Sequence, residues 1–249
     1  MRPWYQRPWG IAILVYIAVT ASLGIVFLVA IRRAQPQSSS SALRAGGFTE
    51  AGQSASGAAL DRSVPMFSDR DPAIGAPLER AKLIIVEYSD FQCPFCRAAF
   101  PIIREAVTMY GDRGLRFVYR DFPVDEIHAD ARLAAEAAQC AHAQGKFWAY
   151  HDKVFQSADA SGGASGLDEA SLLRYAEQVG IDRAPFEECI RSKQFASEVA
   201  ADYDAGVKLG VRGTPTWFLL PGGDPAKARR VEGVIPRASL QDLMERALR

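Results

Sequence analysis

The chain has 249 residues, 49% of them hydrophobic, so it can bury a sizeable core. Its 29 Lys and Arg balance 29 Asp and Glu, and no basic tract runs longer than two residues, which excludes the concentrated positive footprint of a nucleic-acid binder. Of four cysteines, Cys93 and Cys96 form a C-x-x-C while Cys140 and Cys189 stand alone; without a second close pair the zinc-ribbon pattern is excluded too.

Residues 11–31 carry no charge and would span about 30 Å as a helix, enough to cross a bilayer core. Trp4, Tyr5 and Trp9 precede them as interfacial aromatics would. A transmembrane anchor is therefore expected over residues 1–33. A cleaved signal peptide is the competing reading, with Val19-Thr20-Ala21 as a small-residue site. Such peptides have apolar regions of about 7–15 residues, and this one continues well past Ala21, which favours the anchor. Arg2 and Arg7 on one side match Arg32 and Arg33 on the other, so charge bias does not orient it. Residues 34–61, rich in Ser, Gly, Ala and Gln without a hydrophobic period, read as a flexible tether.

The folded domain is expected over residues 62–249. Leu83-Ile84-Ile85-Val86 suits a strand buried on both faces, as in a parallel sheet. Beyond the C-x-x-C, Phe100, Ile103, Val107 and Tyr110 share one helix face, with Pro101 expected to kink that helix. Residues 115–119 read as a second strand, completing a βαβ unit. Residues 129–209 read as almost wholly helical, broken by a Gly/Ser loop at 161–166, with Asp168 and Asp182 as helix caps. Strands follow at 216–220 and 230–234, joined by a Pro-Gly-Gly turn as an antiparallel pair, then a helix with Leu240, Leu243, Met244 and Ala247 on one face. This order predicts an α/β thioredoxin-like fold with a helical insertion over about 125–209.

Disulfide exchange needs a thiolate, and a helix N-terminus stabilises one through its unpaired N–H groups and positive dipole end. Cys93 stands where the helix begins, and Pro94 suits the first helical position, where its missing N–H costs nothing. Cys96 follows one turn later. Cys93 is thus the expected nucleophile and Cys96 the resolving thiol; a structural disulfide, half a metal site or two unrelated cysteines are the alternatives. Glu87 is placed at the end of the buried strand, where desolvation would raise its pKa and let it exchange protons with Cys96, unless it simply reaches water. Pro215, at the first residue of a strand, can present the preceding backbone to a neighbouring site; X–Pro statistics alone would make its bond trans.

The run Glu87-Tyr88-Ser89-Asp90-Phe91-Gln92-Cys93-Pro94-Phe95-Cys96, with Thr214-Pro215 about 120 residues later, resembles the DsbA family of thioredoxin-like proteins. Gly145-Lys146-Phe147-Trp148 and Val211-Arg212-Gly213-Thr214-Pro215-Thr216 are similar to its membrane-anchored and lipoprotein branches. The resemblance spans residues 74–249. It implies Cys93 as nucleophile, Cys96 as resolving thiol, Glu87 as buried acid and Pro215 as a cis-proline that binds substrate backbone. It also implies reduced or unfolded protein substrates, no cofactor, and a membrane partner, quinone-coupled or equivalent, that reoxidises the pair. Phe95 stands where a histidine is common in the best-known oxidases and cannot stabilise a thiolate through its side chain, so a less depressed Cys93 pKa is expected. Thr214 resembles isomerases and reductases of the wider superfamily. Both bear on the direction of electron flow: oxidase is the first expectation, reductase or isomerase the second.

Cys140 and Cys189 fall on separate expected helices. They are either two buried free cysteines or a disulfide, as some DsbA-like proteins carry in this region; a disulfide would place the domain outside the cytosol. His151 reads as structural, and His128 as a residue that can approach the site. No two histidines have metal-ligand spacing, so a Cu(I)- or Zn-handling protein using Cys93 and Cys96 is the distant alternative. Trp148 and Trp217 read as core. With no separate dimerisation segment, a monomer is expected.

Overall fold

The computed structural model describes residue 61, residues 63–157 and residues 166–249. The expected anchor, the tether up to residue 60 and most of the Gly/Ser loop lie outside these residues. Among the described residues no helix is long and apolar enough to cross a membrane.

The elements run β1 (Ala73–Gly75), β2 (Leu83–Ser89), α1 (Pro94–Tyr110), β3 (Leu115–Asp121), α2 (Ala131–Ala143), α3 (Phe147–Ser157), α4 (Glu169–Gln178), α5 (Arg183–Arg191), α6 (Ala196–Lys208), β4 (Thr216–Pro221), β5 (Arg229–Glu232) and α7 (Arg237–Ala247). The strands form one sheet in the order β1-β3-β2-β4-β5. β2 pairs parallel with β3 and antiparallel with β4, so the sheet is mixed. β1 adds antiparallel to the outer edge of β3; its three residues are too few to show a period in the sequence.

Side chains of β2 alternate between two cores, as strand geometry requires. Leu83 and Ile85 face α1 and α7, where Ile103, Val107, Tyr110, Leu240 and Met244 cover them. Ile84, Val86 and Tyr88 face the other way, with Phe122, Phe218 and Leu220. α6 lies close over this second layer because Gly206 has no side chain; a Cβ there would come within 2.7 Å of the Phe122 ring. A third cluster fills the helical block and reaches the sheet through Phe91, Cys93, Cys96 and Tyr119. The C-x-x-C therefore lies where the inserted helices meet the sheet.

Several boundaries differ from expectation. β2 continues to Ser89, so Glu87 sits inside the strand rather than at its end. The end of α1 does agree with expectation: the helix contains Pro101 and closes at Tyr110, just before Gly111. The Pro-Gly-Gly turn is longer than a hairpin turn and contains a short 3-10 segment, Pro225–Lys227, whose Asp224 carboxylate accepts from the Ala226 N–H. β5 stops at Glu232 because Gly233 turns to φ 78° and its N–H goes to the Pro215 carbonyl at 2.8 Å. Asp168 caps α4 by accepting from the Ser171 N–H at 3.0 Å; Asp182 occupies the corresponding position of α5 without a side-chain bond.

Cys140 of α2 and Cys189 of α5 form a disulfide, with Cα atoms 5.9 Å apart and 49 residues of separation. Closing a loop of that length restricts the unfolded chain by about 4 kcal/mol on the chain-entropy model. The double substitution Cys140→Ala, Cys189→Ala is accordingly expected to lower unfolding free energy by about that much. Urea titration measures the loss, and an unchanged midpoint would show that the bond adds nothing to stability.

Candidate active site

The turn between β2 and α1 is held by one buried carboxylate. Asp90 accepts from the Gln92 N–H at 2.7 Å, from the Val124 N–H at 2.9 Å and pairs with His128 Nδ1 at 2.7 Å. The Gln92 side-chain carbonyl accepts in turn from the Asp130 N–H at 2.8 Å. The segment before the C-x-x-C is thus strapped to the loop after β3, and His128 reaches the site through Asp90. His151 is buried among Phe91, Phe100, Tyr119 and Phe155, with Nδ1 2.9 Å from Asp152, and burial lowers its pKa. Trp148 and Trp217 pack beside Phe117 in the core.

Cys93 is the N-cap residue of α1, extended at φ −73°, with Pro94 opening the helix. Cys93 and Cys96 are a dithiol. The Cys93 thiol faces the Thr214 carbonyl at 3.3 Å, and the Thr214–Pro215 bond is cis. A hydrogen bond from the Cys96 thiol, opposed by burial and aided by the Thr214 side chain and the Cys96 and Phe95 amides, pulls the Cys93 pKa from 9.0 down to about 6. Phe95 contributes only its amide; its ring projects outward, 63% exposed. Cys96 has the opposite setting. Burial, its bond to Cys93 and the Glu87 charge push its thiol well above the ordinary value. The helix end thus separates two chemically identical thiols into a ready thiolate and a held thiol.

Glu87 lies beneath the pair, 3% exposed. Burial raises its carboxyl from 4.5 to about 8, against a lowering bond from the Ser89 hydroxyl at 3.0 Å and with a further rise from the Cys93 charge. Among the described residues no three His, Cys, Asp or Glu side chains converge to hold a metal ion.

Residues 68–222 match a family model described as thioredoxin. The chain belongs to the thioredoxin family. A thioredoxin-like oxidoreductase from Silicibacter pomeroyi superposes with a TM-score of 0.60 at 28% identity, over 76% of this chain and 98% of that one. A variant of α-DsbA1 from Wolbachia pipientis, with two cysteines replaced by alanine, shares the fold, with a TM-score of 0.63 at 20% identity over 76% of this chain and 96% of its own. A Na(+)/H(+) antiporter, NhaA 3, of Salinispora tropica is 40% identical over 160 residues, which are 64% of this chain and 23% of that relative. The chain therefore spans about a quarter of the length of that relative. With a free dithiol at the helix start, this thioredoxin-family chain shares the architecture of its DsbA-like solved neighbours.

In this family member the fold brings Cys93, Cys96, Glu87, Pro94, Phe95, Thr214 and Pro215 together, whereas Cys140 and Cys189 lie apart in the helical block. Ser89, Tyr119 and the Asp90–His128 strap join them without a motif to mark them. Strand alternation was the available signal for Ser89, because residues two apart on β2 share a face. For Asp90, the signal was an Asx turn onto Gln92.

The raised Glu87 pKa also has a stability consequence. The unfolded chain releases this proton near pH 4.5, while the folded chain keeps it to about 8. The associated stability is fully present below 4.5 and is lost as pH rises through about 8. Glu87→Gln removes that loss, so the variant should exceed the parent by roughly 1–4 kcal/mol above pH 8 and match it in acid. Melting curves across pH measure the gap; parallel curves would refute a buried ionisation.

Proposed function

We propose that the protein oxidises cysteines of extracytoplasmic proteins by donating the Cys93–Cys96 disulfide. A substrate thiolate attacks Cys93 Sγ, the Cys93–Cys96 bond breaks and a mixed disulfide forms. A second substrate thiol then displaces Cys93, leaving an oxidised substrate and the dithiol. The observation that carries this direction is the Cys93 pKa of about 6, set by hydrogen bonds that favour its thiolate. Stabilising the thiolate stabilises the reduced enzyme, which makes its disulfide the stronger oxidant. Pro215 lies beside Cys93, and the neighbouring Thr214 backbone offers an extended substrate segment a place to pair.

The extracytoplasmic setting rests on the Cys140–Cys189 disulfide, since such bonds persist outside the reducing cytosol. Residues 11–31 would tether the domain to the membrane, close to a quinone-coupled or equivalent partner that reoxidises the dithiol. The antiport named for the Salinispora relative is not proposed for this chain.

A reductase or isomerase is the second reading, favoured by Phe95, whose side chain gives the thiolate nothing. Equilibration of the Cys93–Cys96 pair with glutathione buffers decides between them. A potential well above the roughly −270 mV of thioredoxin is expected, and a value at or below it would reject the oxidase.

A further inference from the structure

Cys96 is buried together with the groups around it. It is 1% exposed, Glu87 is 3% exposed and Tyr119 is fully buried. Yet Cys96 must lose its proton each time it displaces a partner from Cys93, and regain it on the reverse path. Glu87 is the buried base, but the hydroxyl of Ser89 stands with it. Ser89 is 1% exposed, lies on the same face of β2, and donates to Glu87 Oε1 at 3.0 Å. The same hydroxyl reaches the Cys96 sulfur, where it favours the thiolate.

We propose that Ser89 is the proton relay between Cys96 and Glu87. This rests on the exchange chemistry assigned above to Cys93 and Cys96. The Cys96 thiol gives its proton to Ser89 Oγ while Ser89 passes its own hydroxyl proton to the Glu87 carboxylate. The Cys96 sulfur then bonds to Cys93 Sγ, and the bond from Cys93 to the partner sulfur breaks. The partner leaves as a thiolate carrying both electrons of that bond, so the partner is reduced and the enzyme pair oxidised. Every proton and electron pair stays within the groups named, and donation of the disulfide runs the same steps backwards.

Tyr119 is the other buried hydroxyl beside the pair. Its oxygen makes no hydrogen bond of good geometry. Burial, with the charges of Asp121, Cys96 and Glu87, pushes its pKa well upward against a small lowering from the nearby Ser89 hydroxyl. It lacks the bond to Glu87 that a relay requires.

Reaction of the reduced protein with an aromatic disulfide reagent such as dithionitrobenzoate separates the steps. Attack by Cys93 releases a first coloured thiolate, and resolution by Cys96 releases a second. Ser89→Ala should leave the first release unchanged and slow the second by about 10- to 100-fold. Its second phase should also lose the inflection near the Glu87 pKa of about 8. Ser89→Thr, which keeps the hydroxyl, should restore both rate and profile, and Tyr119→Phe should leave the second phase intact. A second phase in Ser89→Ala within twofold of the parent and with the same pH profile would overturn the relay. If Ser89→Ala does not fold, a proton inventory of the parent's second phase in mixed water and heavy water serves instead. A curved inventory supports coupled transfer through Ser89, and a linear one refutes it. A parent with no Cys93-dependent first release would instead overturn the exchange chemistry itself.

Discussion

Cys93→Ser is expected to lose disulfide exchange on the order of 10,000-fold, the scale on which nucleophile removal acts in a concerted site. The hydrogen bonds that hold the Cys93 thiol at about 6 cannot ionise a serine hydroxyl at neutral pH. Cys96→Ala should behave differently. It loses the Cys96 hydrogen bond that favours the thiolate but keeps the Cys93 thiol and the Thr214 carbonyl beside it, so attack continues at a lower rate and nothing resolves the adduct. Insulin-reduction rates read the first variant. Mass spectrometry of the second, incubated with a disulfide-bonded peptide, should find the peptide held on Cys93. Unimpaired turnover in Cys93→Ser, or an adduct on another cysteine, would reverse the roles.

A second large effect should appear in the pH dependence of Cys93. Alkylation by iodoacetamide follows the thiolate fraction, so its rate should be level above pH 7, halve near 6 and fall about tenfold per unit below. The folded pKa lies below the ordinary 9.0, so the stability it gives the reduced protein is complete above 9.0 and is lost as pH falls through about 6. Thr214→Val, which deletes one of the stabilising hydrogen bonds, should move the midpoint upward. A midpoint near 9 in the parent would mean that the helix start does not activate the thiol.

The working pair was legible in the sequence because its chemistry is local. Cys93, Pro94 and Cys96 lie within one turn, and a strand-to-helix junction can be read from the apolar run before them. Glu87 was legible for the same reason, although its strand runs three residues beyond the apolar run. That extension occurs because β2 pairs on both sides as far as Tyr88 and with β3 as far as Ser89. The strap from Asp90 to Val124 and His128 was not legible, since its partners are 34 and 38 residues away and meet only after β3 and the following loop are in place. The cis geometry of Pro215 had no local signal either and entered only through family resemblance. β1 was missed because pairing to β3, rather than composition, makes three residues a strand.

The equality of 29 basic and 29 acidic side chains describes only one of the two redox forms of this molecule. At pH 7 the reduced protein carries an extra negative charge at Cys93, largely offset by the proton that Glu87 keeps. Oxidation removes the charge on sulfur and leaves the buried carboxyl protonated. The two forms thus differ by nearly one elementary charge at an otherwise electrically balanced surface. They separate by isoelectric point, and the ratio of the two bands in a rapidly quenched cell extract would report which way electrons flow through the protein in its own environment.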